Sequence, residues 1–315
     1  MQKDSKIKKR KEKMMNAKYL DPKADLTFRK IFGEHPHLVM SLLNALLPLK
    51  EDERVETIEY WPADKIPERT EAEKYSIVDV CCKDNKKREF IVEMQMSWTE
   101  AFKKRVLLNA SKAYVAQSEK GGDYSSLQPV YALNFVNETF QKDVADYYHY
   151  YHLVHDKYTN KVIDGLHLIF VELPKFRPQT FSERKMQVLW LRFLTEINEN
   201  TREVPAELLE NAEVKQALEI LEVAAFTDEE MRAYNKFWDN ISVQKTLENA
   251  LKRENEKVQE ELKQAKADLD STKADLDQTR IALLKSVKYL KSTNLSISQI
   301  ADHLGMSEDE IAALI

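Results

Sequence analysis

The sequence has few cysteines and no long apolar run, and several classes of protein depend on one or the other. Its 315 residues include two cysteines, Cys81 and Cys82. Adjacent side chains on a strand point to opposite faces, so a bridge between these two would be strained, and the pair cannot form a zinc framework. No apolar run reaches the roughly 20 residues of a membrane-spanning helix, and the basic residues 1–18 lack the apolar segment of a secretory signal. We therefore expect a cytoplasmic protein without membrane segments.

An overall basic excess is also missing, because the formal net charge is −5. Any contact with nucleic acid must therefore be local. The local exception is residues 1–18, where eight lysines and arginines stand against two acidic residues and leave a charge of +6. We expect a disordered tail, which either contacts phosphates or only keeps the chain soluble. The 43% of hydrophobic residues nevertheless supports a substantial core.

A β-hairpin is predicted over residues 75–96. Two runs rich in β-branched and aromatic residues flank a polar turn centred on Asn85. Because side chains alternate between the faces of a strand, Asp79 and Glu93 share one face of this hairpin. The predicted turn places Asp79 opposite Ile91, so that the two carboxylates are diagonal neighbours about 7–8 Å apart at Cα.

Two carboxylates at this separation predict a cation site. Asp79 and Glu93 stand among apolar strand residues, where they repel each other and are costly to desolvate. A bound divalent cation removes both costs, and Mg²⁺ and Mn²⁺ favour oxygen ligands of this kind. The alternative interpretation is an exposed polar face of the sheet without a bound ion.

The same hairpin carries a family resemblance. Asp79 on one strand, followed by Glu93-Met-Gln95 on the next, resembles the PD-(D/E)xK nuclease superfamily, although Gln95 stands where that motif has lysine. The Glu-x-Gln form resembles the recombination-promoting nuclease (Rpn) or PD-(D/E)xK transposase family. The similarity extends over residues 19–240 and is supported by three further segments: 25–33, 129–135 and 172–176.

This resemblance implies an α/β fold, a PD-(D/E)xK-like mixed sheet flanked by helices. It also implies a bacterial, nucleoid-accessible endonuclease that hydrolyses double-stranded DNA with Mg²⁺ or Mn²⁺ held by Asp79 and Glu93. Gln95 would orient the attacking water or donate to a phosphoryl oxygen, but it carries no charge. Two alternatives stay open: a catalytically idle DNA-binding or regulatory protein that keeps the fold, or a scaffold assembled by a coiled coil.

A helix predicted over residues 98–120 follows the hairpin, and the glycine pair 121–122 ends it. Arg105, Asn109 and Lys112 recur at helical spacing and share one face. Beside a metal site this face would bind a phosphate, with Arg105 as the best bidentate donor. The alternative interpretation is an ordinary solvated helix face.

The remaining elements of the predicted domain include a helical region over residues 24–48 that Pro36 divides. Asp25 suits the N-cap of this region, and a role as a further metal ligand is the alternative. Residues 130–136 predict a strand buried on both faces. Further strands and helices are predicted at residues 55–61, 166–173, 181–198 and 206–238. Three spaced histidines predict aromatic packing rather than a metal site: His149, His152 and His155.

Residues 241–285 predict a coiled coil. Leucines recur every seven residues, and a second set lies four residues before them; the two sets are Leu262, Leu269, Leu276 and Leu283, and Leu251, Val258, Ala265 and Thr272. We expect a homo-oligomer through this seam, the alternative being a single helix folded back on the preceding domain.

The last segment, residues 286–315, resembles a helix-turn-helix with two capping boxes and a turn at Gly305. No lysine or arginine follows Lys291, and its second helix opens with acidic residues, so we expect packing on the coiled coil or a partner chain rather than DNA binding. The predicted parts of the chain are therefore a tail, a nuclease-like domain, a coiled coil and a short helical end: 1–18, 19–240, 241–285 and 286–315.

Overall fold

The computed structural model describes four stretches of the chain: residues 17–61, 79–118, 122–178 and 185–314. The chain divides into two units, with the boundary between Ile241 and Ser242. No helix in these stretches has the length and apolar character needed to cross a membrane. Five sequence predictions fall partly or wholly outside the described residues: the basic tail, the polar segment after Trp61, the start of the hairpin, the end of the helix predicted over residues 98–120, and the start of the helix predicted over residues 181–198.

A mixed sheet forms the centre of the first unit. In the described residues its strands are β1 (Glu59–Tyr60), β2 (Val80–Lys83), β3 (Glu89–Gln95), β4 (Val130–Val136), β5 (Tyr148–Val154) and β6 (Val162–Glu172). Their order across the sheet is β1-β2-β3-β4-β6-β5. The central pairs β3/β4 and β4/β6 are parallel, and the outer pairs are antiparallel. This arrangement confirms the predicted α/β fold with a mixed sheet.

Helices cover both faces of this sheet. The described residues form, in chain order, the helices α1 (Asp25–Phe32), α2 (Pro36–Leu46), α3 (Glu100–Ala116), α4 (Lys185–Glu196), α5 (Ala206–Glu210), α6 (Ala212–Ile220), α7 (Asp228–Ser292), α8 (Ile297–Leu304) and α9 (Glu308–Leu314). Of these, α8 and α9 belong to the second unit. The larger core lies between one face and helices α1, α2, α4 and α6, and includes Phe28, Trp190 and Phe193. On the other face α3 packs Phe102 and Val106 against the strands. The face under α3 is the one that carries the predicted site.

Strand β4 matches its predicted bounds, and every residue of Val130–Val136 is buried. The break at Pro36 is also confirmed, because this proline occupies the first turn of α2, where its missing N–H costs nothing. The strand predicted over residues 55–61 is shorter than expected. Asn44 holds Val55 through two backbone hydrogen bonds of 2.8 Å, so this part of the segment is bonded to a side chain instead of the sheet.

The prediction of one helix over residues 206–238 is wrong, because three separate helices occupy this span. Asn211 caps α6 by accepting the backbone N–H of Val214 at 2.9 Å. The backbone after α6 then bonds to the start of the domain, where the N–H of Leu20 donates to the carbonyl of Leu221 at 2.9 Å. These residues bond to another segment and cannot also continue the helix.

Strand β5 was not predicted from the sequence, although the expected aromatic packing of its histidines is confirmed. His152 stacks on Tyr150 with ring centroids 4.6 Å apart, and His149 lies 5.5 Å from the ring of Phe140. His149 also bonds to Glu172 at 2.8 Å. Strand β5 pairs with β6, and the stacked histidines stabilise this edge of the sheet.

The second unit ends in a small helical cluster. Val287 near the end of α7 packs with Ile300, Ala301 and Ile311 of α8 and α9. Both predicted capping boxes are present, and Gly305 adopts the left-handed conformation, with φ of 66°, that ends α8. This segment therefore packs on the end of α7 of its own chain.

Candidate active site

The turn between β2 and β3 sets the register of the hairpin. The strands close with Lys83 opposite Glu89, so the turn centres on Lys86, one residue later than predicted. The carboxylate of Asp84 causes this shift, because it accepts the backbone N–H groups of Lys86 at 3.0 Å and Arg88 at 2.9 Å. It also accepts from the guanidinium Nε of Arg88 at 2.8 Å. Arg88 is thereby drawn into the turn.

The predicted pairing across the hairpin is consequently wrong by two residues. Cys81, not Asp79, lies opposite Ile91. Extending the observed register by one residue before the start of β2 places Asp79 directly opposite Glu93. Directly opposed residues in an antiparallel pair have Cα atoms about 4.5–5.5 Å apart, closer than the diagonal arrangement expected from the sequence. The correction therefore brings the two carboxylates nearer to each other.

Asp79 also meets a third carboxylate. Its Oδ2 accepts the backbone N–H of Met94 at 2.6 Å, and its side chain is hydrogen-bonded to Asp25. Burial raises the pKa of the Asp79 carboxyl well above its usual range, and the charges of Asp25 and Glu93 raise that pKa further. The prediction of Asp25 as an N-cap is wrong, because Ala24 occupies that position and Asp25 is the first residue of α1.

Glu93 is held from the side of α3. Its carboxylate is buried, and it accepts the amide Nδ2 of Asn109 at 3.2 Å. The guanidinium Nη2 of Arg105 lies 3.5 Å from the other carboxylate oxygen of Glu93. The N-terminal end of α3 is fixed because the hydroxyl of Thr99 caps it by accepting the N–H of Phe102. The helix thus presents one cation and one amide to the carboxylate.

Gln95 contacts the same guanidinium. Its Oε1 accepts from Nη2 of Arg105 at 3.1 Å, and its Nε2 donates to the carbonyl of Ser97 at 2.9 Å. Both ends of the amide are therefore engaged by the protein. In this arrangement Gln95 orients Arg105 and does not present its amino group to a phosphate.

The guanidinium of Arg105 is partly open to solvent. Its side chain is 33% exposed and lies 5.0 Å from the ring centroid of Phe102, and its buried Nε has no hydrogen-bond partner among the described residues. Lys112 lies two turns further along α3, about 10 Å from Arg105 along the axis, with an exposed side chain. The structure thus brings Arg105 and Asn109 to the carboxylates, whereas Lys112 lies further out on the helix.

Asn134 is a neighbour of the site that sequence reasoning missed. It pairs in parallel register with Glu93, so the two side chains lie on the same face of the sheet. Asn134 is fully buried, and its Nδ2 donates to the carbonyls of Ala132 and Ile169, both at 3.0 Å. Its Oδ1 has no hydrogen-bond partner, at a cost of about 1–3 kcal/mol. A single amide within an otherwise apolar strand was the available sequence signal.

Glu172 is a second buried carboxylate on this face, but its partners satisfy it. It accepts the backbone N–H of Phe140 at 3.1 Å and that of Gln141 at 3.3 Å, and it pairs with Lys175 at 3.0 Å. His149 completes the set. These contacts tie the segment after β4 to the end of β6, so Glu172 is a structural anchor.

The chemistry of the carboxylates fits a hard divalent cation. Asp79, Glu93 and Asp25 offer oxygen atoms. Burial first, and the charges of Asp25 and Glu93 second, raise the pKa of Asp79, and a bound cation would favour its charged form against both effects. Within the described stretches, no three His, Cys, Asp or Glu side chains form a ready-made metal-binding group. Mg²⁺ does not require one, because it is usually bound by one or two carboxylates and completes its shell with water and phosphate.

The raised pKa gives a prediction for stability in metal-free protein. Between the ordinary aspartate pKa of 3.8 and the raised native value, the folded state binds more protons than the unfolded chain, so the free energy of unfolding falls as pH rises. Asp79→Asn removes this dependence while keeping an acceptor for Met94 and a donor for Asp25. We expect the variant to be more stable than wild type at pH 8 in EDTA, with the difference shrinking towards pH 4. Denaturant melts test this, and equal stability at pH 8 would contradict it.

Comparison with known proteins gives one match. A family model described as PD-(D/E)XK nuclease family transposase matches residues 22–246, which is more than half of the chain. Comparisons with curated proteins and with solved structures give no match. The matched residues include the three carboxylates and the polar groups of α3 described above.

Proposed function

The chain belongs to the PD-(D/E)XK nuclease family transposases, and on this premise we propose that it is a metal-dependent DNA endonuclease. The observation that carries the proposal is the meeting of Asp79, Glu93 and Asp25 at one end of the hairpin, with Arg105 beside them. A cluster of carboxylates next to an arginine suits a site for a cation and a phosphate. Double-stranded DNA is the proposed substrate.

Asp79 and Glu93 would hold Mg²⁺ or Mn²⁺, and Asp25 would supply a further oxygen. Such an ion polarises the scissile phosphate and lowers the pKa of an attacking water. Asn109 keeps the carboxylate of Glu93 in one orientation through its 3.2 Å hydrogen bond. The backbone N–H of Met94 does the same for Asp79. These contacts preserve the geometry of ligands that would otherwise repel each other.

Gln95 stands where the family motif has a charged lysine, and it carries no charge. Arg105 would supply the positive charge instead. Its planar guanidinium matches two oxygens of a phosphate. Gln95 holds this guanidinium at 3.1 Å, which reduces the entropy lost when a phosphate is bound. The charge that stabilises the pentacovalent phosphate therefore comes from α3, and Gln95 acts as its positioning residue.

Calorimetric titration with Mn²⁺ tests the metal site without requiring catalysis. We expect wild type to bind the ion and Asp79→Asn to lose most of this affinity, because a neutral amide replaces a charged ligand. Asp156→Asn is the matched control, since Asp156 is exposed and lies in the turn after β5. Equal affinities in wild type and Asp79→Asn would remove the basis of the proposal.

A further inference from the structure

Helix α7 exposes an apolar seam in the second unit. The helix runs without a break from Asp228 to Ser292. The side chains of Leu251, Leu262 and Leu269 are 64%, 48% and 53% exposed. A row of half-exposed leucines along one helix is an interaction surface, because soluble proteins rarely leave such a stripe uncovered.

The seam has two sets of positions with the spacing of a heptad repeat. Leucines recur every seven residues from Leu262, and a residue of the second set follows each of them three positions later, as Ala265 follows Leu262. This spacing assigns the leucines to position a and the second set to position d. Position a also contains Asn255, one heptad before Leu262. The remaining d residues are small or β-branched: Val258, Ala265, Thr272 and Thr279.

Charges flank this seam asymmetrically. The g positions, which precede each a residue, are acidic from Glu254 to Asp275: Glu254, Glu261, Asp268 and Asp275. The e positions, which follow each d residue, are basic with one exception: Lys252, Gln259, Lys266, Lys273 and Arg280. One edge of the stripe is therefore negative between residues 254 and 275, and the other edge is mostly positive.

We propose that α7 binds α7 of a second copy as a parallel, in-register, two-stranded coiled coil. In a parallel pair each g residue faces the e residue of the following heptad on the partner helix. Glu261 then faces Lys266 of the second copy, and Asp275 faces Arg280. An antiparallel pair would bring g against g and e against e, which opposes acid to acid and base to base. The charge pattern thus selects both the partner and its direction.

Asn255 fixes the alignment of the two helices. A polar side chain at position a is satisfied in the seam when it meets the same residue of the partner, because each amide can donate to and accept from the other. Sliding one helix by a heptad would bury the amide against Leu262. A single asparagine at position a specifies register and oligomeric state in this way, at some cost in stability.

The parallel direction brings both chains into the coiled coil at the same end. Two copies of the first unit are therefore attached at that end, and two copies of the helical cluster at the other. If the proposed function holds, and only then, each assembly carries two copies of the cleavage site. The pairing itself does not depend on nuclease activity.

An exchange of the two charged edges tests the pairing in the full chain. The variant carries six changes: Glu261→Lys, Asp268→Lys, Asp275→Arg, Lys266→Glu, Lys273→Asp and Arg280→Asp. Its own g and e positions remain complementary, so it should form a dimer as wild type does. In a parallel pair with wild type, however, acid would face acid and base would face base. In an antiparallel pair the mixture would instead be complementary.

The two proteins, distinguished by mass, are denatured, mixed in equal amounts, refolded and measured by native mass spectrometry in the absence of DNA and metal. We expect two-chain assemblies of each protein, with mixed dimers below about a tenth of the total instead of the half given by random pairing. Mixed dimers at half or more would overturn the parallel arrangement. Monomeric wild type, monomeric variant or assemblies of more than two chains would overturn the two-stranded seam. Circular dichroism of each protein checks that its helix is intact. The expected fraction of mixed dimers is the same whether or not the protein cleaves DNA.

Discussion

Asp79→Asn and Glu93→Gln are each expected to lower the single-turnover rate of plasmid cleavage about 10³-fold. Each change keeps the shape of the side chain and removes one negative charge from the proposed cation site. The melting temperature should not fall, because burial and the charges of Asp25 and Glu93 oppose the ionisation of Asp79, and each variant removes part of this unfavourable charge. The loss of rate would then reflect the site and not the fold.

Two further measurements separate this result from a general defect. The control Asp156→Asn should cut at the wild-type rate, and DNA binding by Asp79→Asn should be retained in a gel-shift assay without metal. Cleavage at full rate by both site variants would place the chemistry elsewhere. Binding without cleavage by wild type itself would favour a regulatory protein that keeps the nuclease fold.

Gln95→Ala is expected to lower the same rate about 10²–10³-fold, the usual effect of losing one well-placed polar group in such a site. The reason is the contact of its Oε1 with Arg105 at 3.1 Å. Without it, the guanidinium keeps only its 3.5 Å contact with Glu93 and loses its fixed orientation. The affinity for Mn²⁺ should remain near that of wild type, because Gln95 supplies no charge.

A double variant shows whether Gln95 acts through Arg105. We expect Arg105→Ala to cost about as much as Gln95→Ala, and the combined variant to cost little more than either, because both changes remove the same positioned charge. Fully multiplicative losses would mean that Gln95 acts independently, for example on the attacking water. A wild-type rate for Gln95→Ala would show that it is an ordinary strand residue.

The sequence predictions were accurate where a local pattern determines the structure, and inaccurate where specific side-chain or distant contacts determine it. Strand β4 could be placed to the residue because it is apolar on both faces, which leaves no ambiguity of register or boundary. The hairpin was recognised, but its register was not, because the side chain of Asp84 sets the turn through contacts that periodicity does not encode. The short helices before α7 were merged for a similar reason, since Leu20 bonds to a backbone distant in sequence.

The site was predicted in part. Asp79, Glu93 and the α3 face bearing Arg105 follow from alternation and helical spacing, which are local rules. Asp25 is hydrogen-bonded to Asp79, although the two residues lie more than fifty positions apart in the sequence. The sequence around Asp25 therefore favoured only a helix cap. Asn134 was absent from the predicted site because one amide in a buried strand does not reveal which neighbour it meets. Tertiary contacts decided both cases.

The central claim is tested most directly by incubating purified wild-type protein with supercoiled plasmid in Mg²⁺ or Mn²⁺, alongside the same reaction in EDTA and an Asp79→Asn preparation. We expect nicked and linear DNA to accumulate with wild type and metal, and supercoiled DNA to persist in EDTA and with the variant. Cleavage that continues in EDTA, or that the Asp79→Asn preparation matches, would contradict a metal-dependent nuclease centred on Asp79 and Glu93.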